Sequence, residues 1–494
     1  MSSARSASQT STPATSPLAA FRSFTDITPA IALGPLDGRY RGVTAPLVDF
    51  LSEAALNRAR VHVEVEWLIY LVQNEVLPGA PSLSDDDVTY LRSIPVTFGA
   101  AEIAEMAEIE AETRHDVKAV EYFLKRRLDG AADALGHETP LTGMHEIVHI
   151  FCTSEDINNL SYALVIKGAI EEVWLPAATA LADQLADLAR AEADRPMLSR
   201  THGQTASPTT LGKEMAVFSA RLRRQLRRIA AADFLGKING ATGTFGAHAV
   251  SVPAVDWPAI SRGFVEGLGL EWNPLTTQIE PHDWQADLYA DVAHFNRIAH
   301  NIATDFWTYI SLDYFHQNLA AQGSTGSSTM PHKVNPIRFE NAEANLEISS
   351  ALLESLASTL VTSRMQRDLT DSTTQRNVGV ALGHSLLAID NLRRGISGVD
   401  SNPAVLDRDL DNAWEVLGEP IQQAMRAAEI AGATGMGNPY ERLKELTRGR
   451  KVTAEDMREF IKGLGIPAEV EERLLALTPA NYVGIAPELV DFLD

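Results

Sequence analysis

The sequence predicts an all-α protein of three helical domains around a central bundle of long helices. Three observations lead there. Apolar residues recur at alternating three- and four-residue spacing over long stretches, the mark of one buried helical stripe. Runs of alternating β-branched residues bounded by turns are nearly absent. Breaks rich in Gly and Pro divide the chain into blocks.

Taken in order, residues 1–30 stand apart. MSSARSASQTSTPATSPLAA is rich in Ser, Thr, Ala and Pro and has no continuous apolar run of the secretory kind. It reads as a disordered tail, with ordered structure starting near Ile31. Residues 31–142 form an expected N-terminal helical domain, closed by the break Gly130–Gly143. Residues 143–396 carry the long stripes. The first runs from Leu160 to Leu188 through Ile170, Trp174, Leu181 and Leu185, and Pro176 should kink or divide it. The second is Leu211, Met215, Phe218, Leu222, Leu226 and Ile229; the third runs Leu288, Val292, Phe295, Ile302, Phe306, Ile310; the fourth is Leu346, Leu353, Leu356 and Leu360. Such stripes face either the chain's own core or other subunits, and the charges between them do not decide which. GISGVDSNP interrupts the pattern before residues 397–494, which read as a C-terminal domain of short helices.

Composition narrows the function. The 494 residues carry 42 Lys+Arg against 65 Asp+Glu, a net charge of −23. That excludes the basic footprint of a general nucleic-acid or acidic-membrane surface, but not a small anion held by a few local cations. No apolar stretch reaches the ~18–20 residues of a membrane span. The single cysteine, Cys152, forbids an intrachain disulfide and fits a reducing compartment, so a cytoplasmic protein is expected.

Several motifs compete. His145–Glu146–Ile147–Val148–His149 fits H-E-x-x-H, which on a helix binds zinc through two histidines one turn apart. It lacks a marked third ligand, although Glu171 and Glu172 lie at a possible distance. GATGTF (240–245) and GATGMG (432–437) follow no predicted strand and precede no Gly-Lys-Ser/Thr, so neither reads as a dinucleotide or phosphate loop. No metal and no organic cofactor is implied. The informative stretch is GSTGSSTMPHKVNPIRFEN, Gly323–Asn341: small hydroxyl residues and glycines without an apolar anchor, then a helix start. Residues 322–330 read as a substrate-gated lid, and a helix start beside them attracts anions.

Gly326–Pro336, GSSTMPHKVNP, resembles the signature loop of the fumarase/aspartase superfamily, whose members eliminate fumarate from succinyl-type substrates. Within it the chain is similar to the adenylosuccinate lyase family. TRHDVKAVEYFLK (113–125), CTSEDINNL (152–160), SRTHGQTASPTTLGKEMA (199–216), TTQIEPHDW (276–284) and QRDLTDSTTQRN (366–377) carry that similarity, which spans about residues 31–494. HEIVH matches none of the family's functional positions.

What the resemblance implies is specific. Adenylosuccinate would be split to AMP and fumarate, and the succinyl-carboxamide imidazole ribotide (SAICAR) to AICAR and fumarate. The enzyme would be a homotetramer, with each site shared between subunits. His202 would be the general acid, its ordinary pKa near 6.5 making it an easy proton carrier. Glu340 would orient it, and Ser327 would be the general base. Ser328, Lys333, Val334 and Asn335 would grip the carboxylates. His115 and Asp116 would contact substrate near the phosphate. Arg39, Tyr40, Arg114, Ser372 and Arg376 would hold phosphate and ribose, where the planar fork of arginine suits phosphate oxygens. Thr153, Ser154, Gln278, Asn341, Arg367, Thr373, Thr374 and Gln375 match other contact positions. Two alternatives stay open: another fumarate-releasing lyase, such as argininosuccinate lyase, and a non-catalytic structural homologue of the lens-crystallin kind.

Overall fold

A computed structural model describes residues 32–318, 330, 333–447 and 452–493. The fold is all-α, with only two- and three-residue strands among the described residues. The expected lid over 322–330 lies, except for Met330, outside them, and so do Ser327 and Ser328.

The N-terminal part is built from Glu53–Gln73 (α1), Asp85–Val96 (α2), Ala100–Thr113 (α3) and Asp116–Asp129 (α4). α1 shows no single apolar stripe because it is buried on two sides. Trp67 and Leu71 join the main core, while Val61, Val65, Leu68 and Ile69 join a second core with Leu91, Phe123 and Met144. Ser52 caps α1 by accepting from the Ala55 N–H at 3.1 Å, and Ser84 with Asp87 forms a capping box on α2.

The long stripes become helices of a closed bundle. Ser154–Gly168 (α5) packs on α1 and passes through a π-helical turn, Ala169–Trp174, into Leu175–Ala191 (α6). Pro176 is the reason: it has no N–H for the carbonyl one turn back, and the wider turn absorbs the mismatch before α6 begins. The stripe is thus divided, one of the two expected outcomes. Leu211–Ala230 (α7), Asp283–Ser311 (α8), Ile337–Leu360 (α9) and Val378–Ile396 (α10) complete a ring in which each helix packs on the next and α10 returns to α6. A chain of buried hydrogen bonds pins the ring: Trp174 Nε1 to Ser385 Oγ (2.9 Å), Ser385 Oγ to Asn296 Oδ1 (2.7 Å), Asn296 Nδ2 to Ser349 Oγ (3.0 Å), and Ser349 Oγ to the Ala381 carbonyl (2.7 Å). Each donor finds an acceptor, so these buried polar groups cost little.

Beyond α10, the antiparallel pair Phe315–Gln317 and Val399–Ser401 ties the bundle to short helices whose core holds Ile421, Met425, Met457 and Ile461. The last described turn, Val490–Leu493, returns to pack on α7.

Two sequence readings change. HEIVH is not α-helical: His145–Ile147 is a single 3-10 turn, Val148 is extended, and His149 has φ 62°. Its histidines part company, His145 facing Asp129 and His149 facing Glu64. GATGTF does follow a strand, the two-residue Leu235–Gly236 paired in parallel with Glu271–Trp272. No helix starts at its glycines. Gly243 is there because φ is 74° and a Cβ would strike the Thr276 carbonyl.

Candidate active site

A cleft of about 410 Å³ lies where α1, the α3–α4 junction, the start of α5 and residues 367–376 meet. It gathers eight of the sequence-predicted residues: Arg114, His115, Asp116, Ser154, Arg367, Ser372, Thr373 and Arg376. Four guanidinium groups, those of Arg60, Arg114, Arg367 and Arg376, face three carboxylates there, those of Glu110, Asp116 and Glu155. A net positive cleft in a chain of charge −23 is a local arrangement for an anion.

Local folding explains the display. α3 ends on Arg114, whose left-handed backbone (φ 54°) lets its N–H bond the Glu110 carbonyl at 2.7 Å. His115 then caps α4: its Nδ1 accepts the Lys118 N–H at 3.2 Å, which puts the proton of the neutral ring on Nε2. One tight junction therefore presents Arg114 and His115 together. Thr153 precedes α5, and its N–H is taken by Asp156 Oδ2 at 2.8 Å, so Ser154 is held at the helix start. Beneath it Asp156 and Lys237 form a fully buried pair at 2.9 Å, and the N–H of Asn239 also reaches Asp156 at 2.9 Å.

One network joins the arginines. Arg60 is 3% exposed and donates to Asn57 (2.8 Å), Asn158 (2.9 Å) and Asp116 (2.8 Å). Arg376 reaches the same Asp116 oxygen at 3.3 Å and also pairs with Glu53. Burial works to raise the Asp116 carboxyl, but Arg60, the Val117 N–H and Arg376 outweigh it and hold it below the usual carboxylate range. Arg367 bonds Glu155 (2.8 Å), Ser372 (3.0 Å) and Gln278 (3.3 Å), and its buried Nε meets no partner among the described residues. Tyr162 backs the cleft, its hydroxyl pushed up to about 12 by burial.

The other predicted residues do not line this cleft. Asn341 Nδ2 donates to the Tyr40 hydroxyl at 3.1 Å, and Arg39 stacks near the Tyr40 ring. Thr374 bonds back to the Thr370 carbonyl. Gln375 turns inward to buried His282 and Gln285 rather than into this cleft. The Val334 carbonyl accepts from Gln317 at 2.7 Å, between exposed Lys333 and half-buried Asn335. Glu340, exposed in the first turn of α9, accepts from Trp307 Nε1 at 3.2 Å. His202 sits at the tip of a two-residue hairpin between Arg200–Thr201 and Gln204–Thr205. Both tip residues, His202 (φ 54°) and Gly203 (φ 75°), are left-handed, as such a tight turn requires. The hairpin is moored by Arg200 to Asp409 at 3.0 Å, and His202 itself is exposed. Within one chain His202 and Glu340 do not meet.

Sequence reasoning missed Arg60, Glu155, Asn158 and Tyr162. Arg60 left a signal: it occupies the apolar spacing Leu56, Arg60, Val63, Trp67, and a charge on that face needs a buried partner.

A family model described as Lyase matches residues 38–347, and one described as Adenylosuccinate lyase C-terminal matches 363–483. The adenylosuccinate lyase of Escherichia coli strain K12 is 48% identical over 462 residues, covering 94% of this chain and 98% of that relative. The chain belongs to the adenylosuccinate lyase family. It is, with that family, a carbon–nitrogen lyase. The Haemophilus influenzae member is also 48% identical, with 94% of this chain and 98% of that relative covered. Solved structures share the fold at low identity. A fumarate lyase from Mesorhizobium sp. BNC1 has a TM-score of 0.70 at 17% identity, covering 91% of this chain and 97% of that one. The 3-carboxy-cis,cis-muconate lactonizing enzyme from Pseudomonas putida has a TM-score of 0.67 at 18%, with 91% and 96% covered. No described helix is long and apolar enough to cross a membrane.

Proposed function

We propose that the chain cleaves adenylosuccinate to AMP and fumarate, and SAICAR to AICAR and fumarate, with the arginine cleft taking the phosphoribosyl end. The observation that carries this reading is the convergence of Arg114, His115, Arg367, Ser372 and Arg376 in one cleft. Bidentate guanidinium contacts suit a phosphate. The buried Arg367 Nε, without a partner among the described residues, is a donor free for an acceptor, and His115 offers Nε2–H.

In the chemical step Ser327 takes the proton from the carbon next to a succinyl carboxylate. The electron pair is held as a dianion by Ser328, Lys333 and Asn335, then forms the C=C bond as the C–N bond breaks. His202, oriented by Glu340, protonates the departing nitrogen. Exposed His202 and Glu340, which do not bond each other in one chain, fit a homotetramer in which neighbours complete each site. A chain with one cysteine and this substrate belongs in the cytoplasm.

The test is fumarate release, followed by absorbance, from both ribotides and from argininosuccinate. Turnover of the ribotides alone is expected. Turnover of argininosuccinate alone would assign the cleft to another ligand, and none with any of the three would favour the structural homologue.

A further inference from the structure

Tyr40, Asn341, Asn345 and His384 form a single-file chain of hydrogen bonds, and one link in it fixes the direction of all the others. Asn345 Nδ2 lies 2.8 Å from the Asn341 backbone carbonyl. A carbonyl only accepts, so this end of the Asn345 amide is the NH₂ end. The same Nδ2 lies 3.0 Å from Asn341 Oδ1, which turns the Asn341 NH₂ toward the Tyr40 hydroxyl at 3.1 Å. At the other end Asn345 Oδ1 faces His384 Nδ1 at 2.7 Å, and an amide oxygen there demands a proton on Nδ1. Asn345 and His384 are 7% and 6% exposed, so water does not reshuffle the pattern. Burial holds the His384 ring neutral by pushing its pKa down.

We infer that His384 and Asn345 are positioning residues: hydrogens run from His384 through Asn345 and Asn341 into the Tyr40 oxygen, so that Tyr40 must give its own proton outward, to an anionic oxygen of the substrate. Without the relay the Asn341 amide could turn over, and Tyr40 would spend its proton on Asn341 Oδ1 instead. Neither Asn345 nor His384 reaches the substrate. The inference rests on the reading of Tyr40 as a substrate contact.

Asn345→Asp keeps the shape but removes the donor, so Asn341 turns and reverses Tyr40. KM for adenylosuccinate should rise about tenfold, the size of one hydrogen bond to a charged group, with kcat within twofold of native. His384→Phe leaves Asn341 alone to hold the Asn345 amide, so KM should rise in the same direction but by less, and His384→Gln, which keeps a donor, should restore it. These two carry the test if the buried carboxylate of Asn345→Asp prevents folding. Tyr40→Phe separates the two failures. If it leaves KM native, Tyr40 is not a substrate contact and the reading beneath falls. If it raises KM while folded Asn345→Asp or His384→Phe does not, the relay is overturned. A loss of kcat and thermal midpoint without a KM change would likewise show a packing role only.

Discussion

In the arginine cleft three of the four guanidinium groups have carboxylate partners within one chain: Arg60 holds Asp116, Arg367 holds Glu155, and Arg376 bridges Asp116 and Glu53. The His202 hairpin shows the opposite. Its strands are two residues each, its tip is exposed, and its mooring to Asp409 lies at the base. Three of the cleft's arginines are thus held on carboxylates of the same chain before any ligand arrives. Among the described residues, no hydrogen bond or ion pair holds the His202 side chain. A paired binding half and a projected chemical half fit the proposed division of the site between subunits.

The contrast can be broken from the cleft side first. Lys237→Met leaves Asp156 buried and unpaired under the start of α5, and should cost ~3–5 kcal/mol of stability. Thermal unfolding should move down by many degrees, and AMP binding should fall with it. From the hairpin side, His202→Ala should lower kcat by at least ~10², as removal of a proton-transfer group does. AMP binding and the thermal midpoint should stay native, because the hairpin tip supports nothing; calorimetry and steady-state kinetics on one preparation check both. Arg367→Ala should give the converse pattern, KM rising by ~10-fold or more through loss of charge-assisted bonds, with a smaller change in kcat. The smallest effect is one of pH. Burial works to lower the His149 pKa, but its hydrogen bond and attraction to Glu64 outweigh this and raise it. The stabilisation is therefore complete below the ordinary value near 6.5 and is lost as pH rises through the folded value. Denaturant midpoints should decline slightly over that window, and His149→Gln should remove the slope.

Legibility in the sequence followed the same division. The stripe Leu211–Ile229 falls wholly inside α7, and those of Leu288–Ile310 and Leu346–Leu360 inside α8 and α9, because each helix buries one face. α1 showed no stripe because two cores share it. The cleft was legible only in part. Arg114 and His115 are neighbours in sequence and in space, whereas Arg60 reaches Asn158 across 98 positions, a pairing that no local pattern encodes. The π turn before Pro176 was half visible, since proline announces a disturbance but not which helix type absorbs it. Gln375 bonds buried His282 because the short helix Thr370–Gln375 directs that side chain inward, a direction that no local pattern announces.

The proposed division of the site between subunits is tested most directly by mixing two crippled proteins. His202→Ala lacks the acid, and Arg367→Ala/Arg376→Ala lacks the phosphate grip. After dissociation and joint reassembly at equal amounts, sites drawing His202 from one subunit and the arginines from another should recover about a quarter of native fumarate release by random assortment. Activity that stays at the sum of the two separate variants, in assemblies shown to contain both, would mean that one chain supplies both halves.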